Sequence, residues 1–205
     1  MLSNKKAQQL IDSGLVEIDG AVITDNCLLP DNAEIKVDGA IEQARKNFVY
    51  IKFYKPVGFE STMNKDIEQN LSPFFTGFEG LAIAGRLDKQ SEGLLLLSND
   101  GKWVENICNP KFEKDKEYFV TLDKTPGEVF ATAFKNGINI GGYHTKPCQC
   151  TIFDEFTIHV VLTEGKNRQI RRMCKALGYE VTRLKRVRVD KYVLDHLRPG
   201  EFTLQ

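Results

Sequence analysis

Gly85-Arg86-Leu87-Asp88-Lys89-Gln90-Ser91-Glu92-Gly93-Leu94-Leu95-Leu96-Leu97-Ser98-Asn99-Asp100-Gly101 is the stretch from which the fold can be built outward. Its leucine run, Leu94 to Leu97, is far short of the roughly 20 apolar residues a membrane helix needs. A short apolar run of this kind suits a strand covered on both faces. The Gly-flanked loop before it presents Arg86 and Asp88 two residues apart, at the edge of the core. A carboxylate there must be paired or hydrogen-bonded, because an isolated buried charge costs several kcal/mol. Taken alone, the segment favours a plain reading in which Asp88 caps a turn and Arg86 pairs with it.

Around this strand lie others. Strand patterns run over 48–54, 81–83, 117–122, 151–153, 157–163 and 181–189, and helical patterns over 101–108, 127–136 and 167–177. Strands outnumber helices and do not alternate with them one for one. The expected class is α+β, around a central mixed, mainly antiparallel sheet flanked by helices.

The first forty residues read as a separate small unit. Ala7, Leu10 and Ile11 share one helix face, and Ser13-Gly14 supplies a stop. Val16 and Ile18 alternate with charged residues, Asp19-Gly20 is a hairpin signal, and residues 34–37 form a further short strand before Asp38-Gly39. The polar stretch 41–47 reads as a linker, which leaves residues 48–205 as the main domain.

The chain has 205 residues, with 28 basic and 28 acidic side chains and 41% apolar residues. That mix suits a globular chain with a real core and argues against a largely disordered one. The N-terminal residues lack the apolar region of a signal peptide. Five scattered cysteines, at 27, 108, 148, 150 and 174, fit reduced thiols in a cytoplasmic protein. Cys148 and Cys150 read as strand residues rather than metal ligands, since neither His144, His159 nor His196 completes a zinc pattern. No metal and no cofactor are expected.

The zero net charge hides a strong asymmetry. Residues 164–198 hold eleven Lys/Arg and four acids, a net +7, whereas residues 1–47 carry a net −3. Local clustering is the electrostatic footprint of a phosphate-binding surface. Within 167–177, Ile170, Met173, Cys174 and Leu177 form a buried stripe, with Asn167 as N-cap and Gly178 beyond the C-terminus. Arg168, Arg171, Arg172 and Lys175 share another face. Like charges at i,i+4 repel by a few tenths of a kcal/mol, a cost that an anionic partner relieves. Arg183, Lys185, Arg186 and Arg188 prolong the positive strip. Charge runs are often only solvated faces, so the helix alone leaves nucleic-acid binding an even choice. Tyr118, opening a strand after Lys114-Asp115-Lys116-Glu117, reads by itself as an ordinary strand aromatic.

Taken together, these segments resemble the RsuA/RluB/RluF family of bacterial pseudouridine synthases. The run 85–101 is similar to its nucleophile motif, Lys55-Pro56-Val57-Gly58 to its opening motif, Lys116-Glu117-Tyr118 to its tyrosine motif, and 164–173 to its basic motif. The likeness covers about residues 48–205, and residues 167–174 with 178–182 are most similar to the F-type large-subunit rRNA enzymes. Residues 1–40 resemble part of an S4 RNA-binding domain, lacking the helix that usually precedes the one at 4–13.

The resemblance implies an isomerase acting on RNA, either 23S rRNA (or a ribosomal precursor) or a tRNA anticodon loop. It implies no cofactor, no membrane partner and a monomer. Asp88 would be the nucleophile, Arg171 its salt-bridge partner, and Tyr118 the residue packed against the base. Arg86 would hold the everted nucleotide and Leu184 would wall the uracil pocket. Lys166, Asn167, Arg168, Arg172, Lys175, Arg183, Lys185 and Arg186 would contact the RNA. Two other readings are a non-catalytic RNA- or ribosome-binding protein with the same fold, and a nucleosidase or glycosidase pairing Asp88 with Glu92 as acid.

Overall fold

A computed structural model describes residues 4–30, 32–44 and 47–205. The chain divides into two compact units, 1–47 and 48–205.

In the first unit, α1 (Asn4–Asp12) is followed by β1 (Val16–Ile18), β2 (Ala21–Val22), β3 (Ile35–Val37) and β4 (Ala40–Gln43), in sheet order β2-β1-β3-β4. Asp19 and Gly20 both take positive φ (51° and 81°), as do Asp38 and Gly39 (50° and 76°). Two successive left-handed residues are what a tight two-residue hairpin requires. The second of these hairpins folds 40–43 back onto β3, pairing Val37 with Ala40. The expected linker therefore begins with a strand: Asp38-Gly39 is a hairpin turn and not a domain end. Ala33 is the buried hydrophobic residue among those described in this unit, so it has little core of its own.

The second unit is built on β5 (Tyr50–Lys55), β6 (Ala82–Ala84), β7 (Glu92–Ser98), α2 (Gly101–Cys108), β8 (Lys116–Leu122), α3 (Glu128–Asn136), β9 (Gln149–Ile152), β10 (Thr157–Leu162), α4 (Gln169–Ala176), β11 (Val181–Val189), β12 (Tyr192–Val193) and β13 (Phe202–Leu204). The nine strands form one sheet in the order β13-β5-β7-β11-β8-β10-β9, with β6 added to β7 and β12 to β11. Every pairing is antiparallel except β7 with β11. This is the mixed, mainly antiparallel α+β sheet expected from the strand-rich pattern.

The leucine run is β7, and it is buried on both faces. Leu95 and Leu97 enter the larger core with Ile51, Phe53, Val120, Ile158 and Val160. Leu94 and Leu96 face the smaller one with Tyr54, Ile107, Val189 and Leu194. The larger core takes Phe130 and Phe134 from α3 and Ile170, Met173 and Cys174 from α4. Ile107 of α2 closes the smaller one, and Asp100 caps that helix by accepting from the amides of Lys102 and Trp103. A strand with a core on each side reads as a continuous apolar run because neither set of alternate side chains meets water. Among the described residues, no helix is long and apolar enough to cross a membrane.

Candidate active site

Asp88 sits in the loop joining β6 to β7, and the backbone of that loop is held along its whole length. Gly85 O and Arg86 O accept from the Arg186 guanidinium at 2.9 and 3.4 Å. Leu87 O accepts from the Ser61 hydroxyl at 2.6 Å, while Leu87 N donates back to Ser61 Oγ at 3.0 Å. Asp88 O accepts from Ser91 N, and Lys89 O from Gly58 N. Gln90 O accepts from Arg171 Nη2 at 2.9 Å, and Ser91 O from Lys55 Nζ at 2.7 Å. Each carbonyl from Gly85 to Ser91 thus has a donor. Fixing a reacting group to a fraction of an ångström requires this kind of support.

The Asp88 side chain itself is 30% exposed and opens into a cleft of about 640 Å³. Tyr118 and Leu184, 7% and 6% exposed, line it from β8 and β11, together with Leu87, Leu162 and Ile170. Arg86, Lys166, Asn167, Arg168 and Arg171 also line it. The site residues expected from the sequence that meet in one cavity are therefore Asp88, Tyr118, Arg171, Arg86, Leu184, Lys166, Asn167, Arg168 and Arg186.

Several details differ from expectation. Among the described residues, the cation within 4 Å of the Asp88 carboxylate is Arg168, at 3.9 Å. The Arg171 guanidinium is directed instead to Val181 O, Gln90 O and Ser91 Oγ, so it braces the loop rather than pairing with Asp88. Its Nε is buried without a hydrogen-bond partner. Burial and the neighbouring Arg168 lower the Arg171 pKa, while Asp88 acts in the opposite direction. Among the described residues, no ion pair joins the Asp88 carboxylate to Arg171. Asn167 is not the cap of α4: the capping position is Arg168, in a left-handed conformation (φ 48°) with no side-chain cap. That turn swings Arg168 towards Asp88 and delays the helix to Gln169.

The basic strip is divided by burial. Arg186 is 2% exposed, and its guanidinium donates to Leu94 O as well as to the loop carbonyls. Its charge lies beneath the cleft lining and not on the outer surface, contrary to the expectation of an open RNA contact. Arg183 donates to Glu92 at 2.5 Å, and Lys185 lies 5.2 Å from the Tyr54 ring. Arg172 donates to Ile140 O, and with Lys175, Arg168 and Arg171 it lines a second groove of about 740 Å³.

Glu92 does not line either cavity. It accepts from Tyr54 OH at 2.8 Å and from Arg183, and although burial opposes it, these bonds hold its carboxyl below the usual range. A carboxyl kept ionised and turned away from the cleft is unsuited to the acid partner that a glycosidase would need.

Three participants were missed from sequence. Lys55 is fully buried, and burial brings its pKa down to about 8 against the pull of Glu60, Asp88 and Glu92. Its signal was the Lys-Pro pair, but no role followed from it. Glu164 is 9% exposed and accepts from Tyr143 OH, Lys146 N and Gln169 Nε2, which ties down the loop carrying Lys166 to Arg168. An acid inside a basic run was its only mark. Ser61 carried no signal at all.

Comparison with known proteins agrees with this geometry. The model of the family described as RNA pseudouridylate synthase matches residues 49–176. The dual-specificity RNA pseudouridine synthase RluF of Salmonella typhi is 36% identical over 204 residues, covering 98% of this chain and 70% of that protein. The ribosomal large subunit pseudouridine synthase B of Bacillus subtilis is 32% identical over 205 residues, covering 96% and 82%. A crystal structure of a pseudouridylate synthase superposes with a TM-score of 0.75 at 30% identity, covering all of this chain and 90% of its own. An archaeal Nop10–Cbf5 complex, at 18% identity and a TM-score of 0.51, shares the fold over 72% of this chain. With its nucleophile-like loop, tyrosine strand and basic helix gathered round one cleft, the chain belongs to the RNA pseudouridylate synthase family, in its RsuA/RluB/RluF branch.

Proposed function

We propose that the chain isomerises one uridine of a folded RNA, with 23S rRNA as the substrate and a tRNA anticodon loop as the alternative, and that Asp88 is the nucleophilic carboxylate. The observation that carries this reading is the Asp88 loop, with each of its backbone carbonyls bonded while its carboxylate stays open to a cleft walled by Tyr118 and Leu184.

In the reaction, the N1–C1′ bond of uridine breaks, the uracil turns, and a C5–C1′ bond forms. A proton leaves C5 and one is gained at N1, so nothing is oxidised or reduced. Asp88 acts at the ribose, by attack at C1′ or by promoting a glycal. Tyr118 stands where it can pack against the base and carry the proton.

The base must leave its stack, at a cost of a few kcal/mol. Arg86, exposed at the cleft, has the planar head needed to occupy the vacated stack and touch phosphate. The exposed cations Lys166, Arg168, Arg172 and Lys175 supply backbone contacts. Binding should then weaken steeply with salt. Residues 1–40 we read as a partial S4-like module.

The test is Asp88→Asn. Pseudouridine formation, followed by release of tritium from C5 of uracil, should vanish while RNA binding persists. Normal turnover by this variant would refute the assignment. Mapping pseudouridine in total rRNA and tRNA from cells with and without the gene identifies the target.

A further inference from the structure

Among the described residues, two cations that line the cleft have no carboxylate at ion-pair distance. Lys116, at the start of β8, lines the cavity with its ammonium donating to Lys114 O at 2.8 Å and making a long contact to Thr163 O at 3.5 Å. The ammonium has three protons and, among the described residues, these two acceptors. Arg186 lies beside it in the same lining, nearly fully buried, with backbone carbonyls as its acceptors. Among the described residues, no carboxylate comes within 4 Å of either. Burial first, and Arg186 second, lower the Lys116 pKa, against the opposing pull of Cys108 and Asp115. Adjacent buried cations are costly unless an anion joins them. The carboxylates that line the cleft, Glu60, Asp88 and Glu164, form no ion pair with either cation among the described residues.

The placement on the strand indicates which anion. Lys116 and Tyr118 are two residues apart on β8, so they share a face with Cα atoms about 7 Å apart. A base packed on Tyr118 places the phosphate of its own nucleotide within reach of the Lys116 ammonium. We propose that Lys116, backed by Arg186, is the anion site of this cleft and binds a phosphodiester group of the RNA at the target nucleotide. Arg186 then has two tasks, holding the Asp88 loop through Gly85 O and Arg86 O and lending its charge to the phosphate. The inference rests on the reading of the cleft as a uridine site.

The test needs no turnover. Uridine, uridine 5′- and 3′-monophosphate and inorganic phosphate are titrated into the full chain and into Lys116→Met and Lys116→Arg, with binding followed by NMR. One of the monophosphates should bind the wild type at least about tenfold more tightly than uridine, the worth of one charge-assisted hydrogen bond. Lys116→Met should lose that preference but keep its affinity for uridine, and Lys116→Arg should restore it. Equal binding of uridine and both monophosphates by the wild type would overturn the proposal. So would a preference that survives in Lys116→Met, or inorganic phosphate binding as tightly as the monophosphates, which would mark a free-phosphate site. Failure of the wild type to form pseudouridine in any RNA would count against the enzyme reading, and is separable because the nucleotide titration does not depend on it.

Discussion

Gly93→Ala is the substitution whose effect can be worked most directly from the structure. Gly93 holds φ +106°, and an added Cβ would lie 2.2 Å from Arg186 O, 2.8 Å from Arg186 N and 3.0 Å from Arg186 C. Those are backbone atoms of β11, hydrogen-bonded in parallel to β7 at this point, so no flexible side chain can yield. Restoring ordinary van der Waals distance needs a separation of more than about 1 Å between two central strands, and overpacking of that kind costs about 1–3 kcal/mol. The backbone conformation adds about 1–3 kcal/mol for a residue with a Cβ. The sum, about 2–6 kcal/mol, is a large part of the roughly 5–15 kcal/mol that holds a typical domain together. Gly142→Ala provides the control: its φ is +82° but its Cβ would meet nothing within 4 Å, so it should show the backbone cost alone. Urea unfolding of both variants measures the difference. Whatever folded Gly93→Ala remains should also turn over about a hundredfold more slowly, because Arg186 holds the Asp88 loop and a misplacement near 1 Å costs about that much. A Gly93→Ala midpoint equal to that of Gly142→Ala would refute the close-approach argument.

Two further outcomes follow from the buried charges. The Lys55 pKa is about 8 in the folded chain against 10.5 when free, so the unfolded chain holds this proton more tightly. Stability should therefore rise between about pH 8 and pH 10.5, by up to about 3 kcal/mol, and Lys55→Met should lack that rise in urea unfolding at the two ends of the window. Glu92 has a folded pKa below its ordinary value, so its contribution is present at neutral pH and lost as the pH falls through the folded value. Glu92→Gln should cost about 2 kcal/mol at pH 7 and progressively less as the pH falls through the folded value, while keeping pseudouridine formation within a few-fold. If it lost activity as fully as Asp88→Asn, Glu92 would be the acid partner after all.

Where local chemistry decides an element, the sequence predicted it closely. The strand 181–189 and the helix 101–108 occupy the expected residues, and Asp100, just before that helix, has the side chain that caps it. The α+β class followed from strands outnumbering helices. What was not legible depends on long-range acceptors. Asn167 has the better capping side chain, yet Arg168 takes the capping position, in a left-handed turn at the mouth of the cleft beside Asp88. Arg186 looked like one more member of a basic strip; it follows Leu184 in unbroken register onto the buried face, and charge alone does not reveal the backbone carbonyls that meet it there. Residues 40–43 are exposed on every side and show no alternation of apolar and polar residues, so they carried no strand pattern, and the Asp38-Gly39 turn commits them. At the site, Asp88 and Tyr118 were found by resemblance, while Ser61 acts through one hydroxyl bonded to a backbone 26 residues away.

The separate motifs make sense as parts of a single cradle. Lys55 comes from the end of β5, Gly58 and Ser61 from the segment after it, Arg171 from α4 and Arg186 from β11, and all of them donate to backbone carbonyls of the same seven-residue loop. Three of the five are cations, and a cation donating to a carbonyl binds it more strongly than a neutral donor does. This arrangement fixes Asp88 through its backbone, and among the described residues its carboxylate has Arg168, at 3.9 Å, as its ion-pair partner. A carboxylate locked into a bidentate pair would be held equally firmly but would have to break that pair before acting on a ribose. Positive charge placed under the backbone gives rigidity and an attractive field together while leaving the oxygen atoms open to the substrate. Removing one of these backbone cations should therefore reduce turnover more than RNA binding, whereas removing a surface cation such as Lys175 should do the reverse.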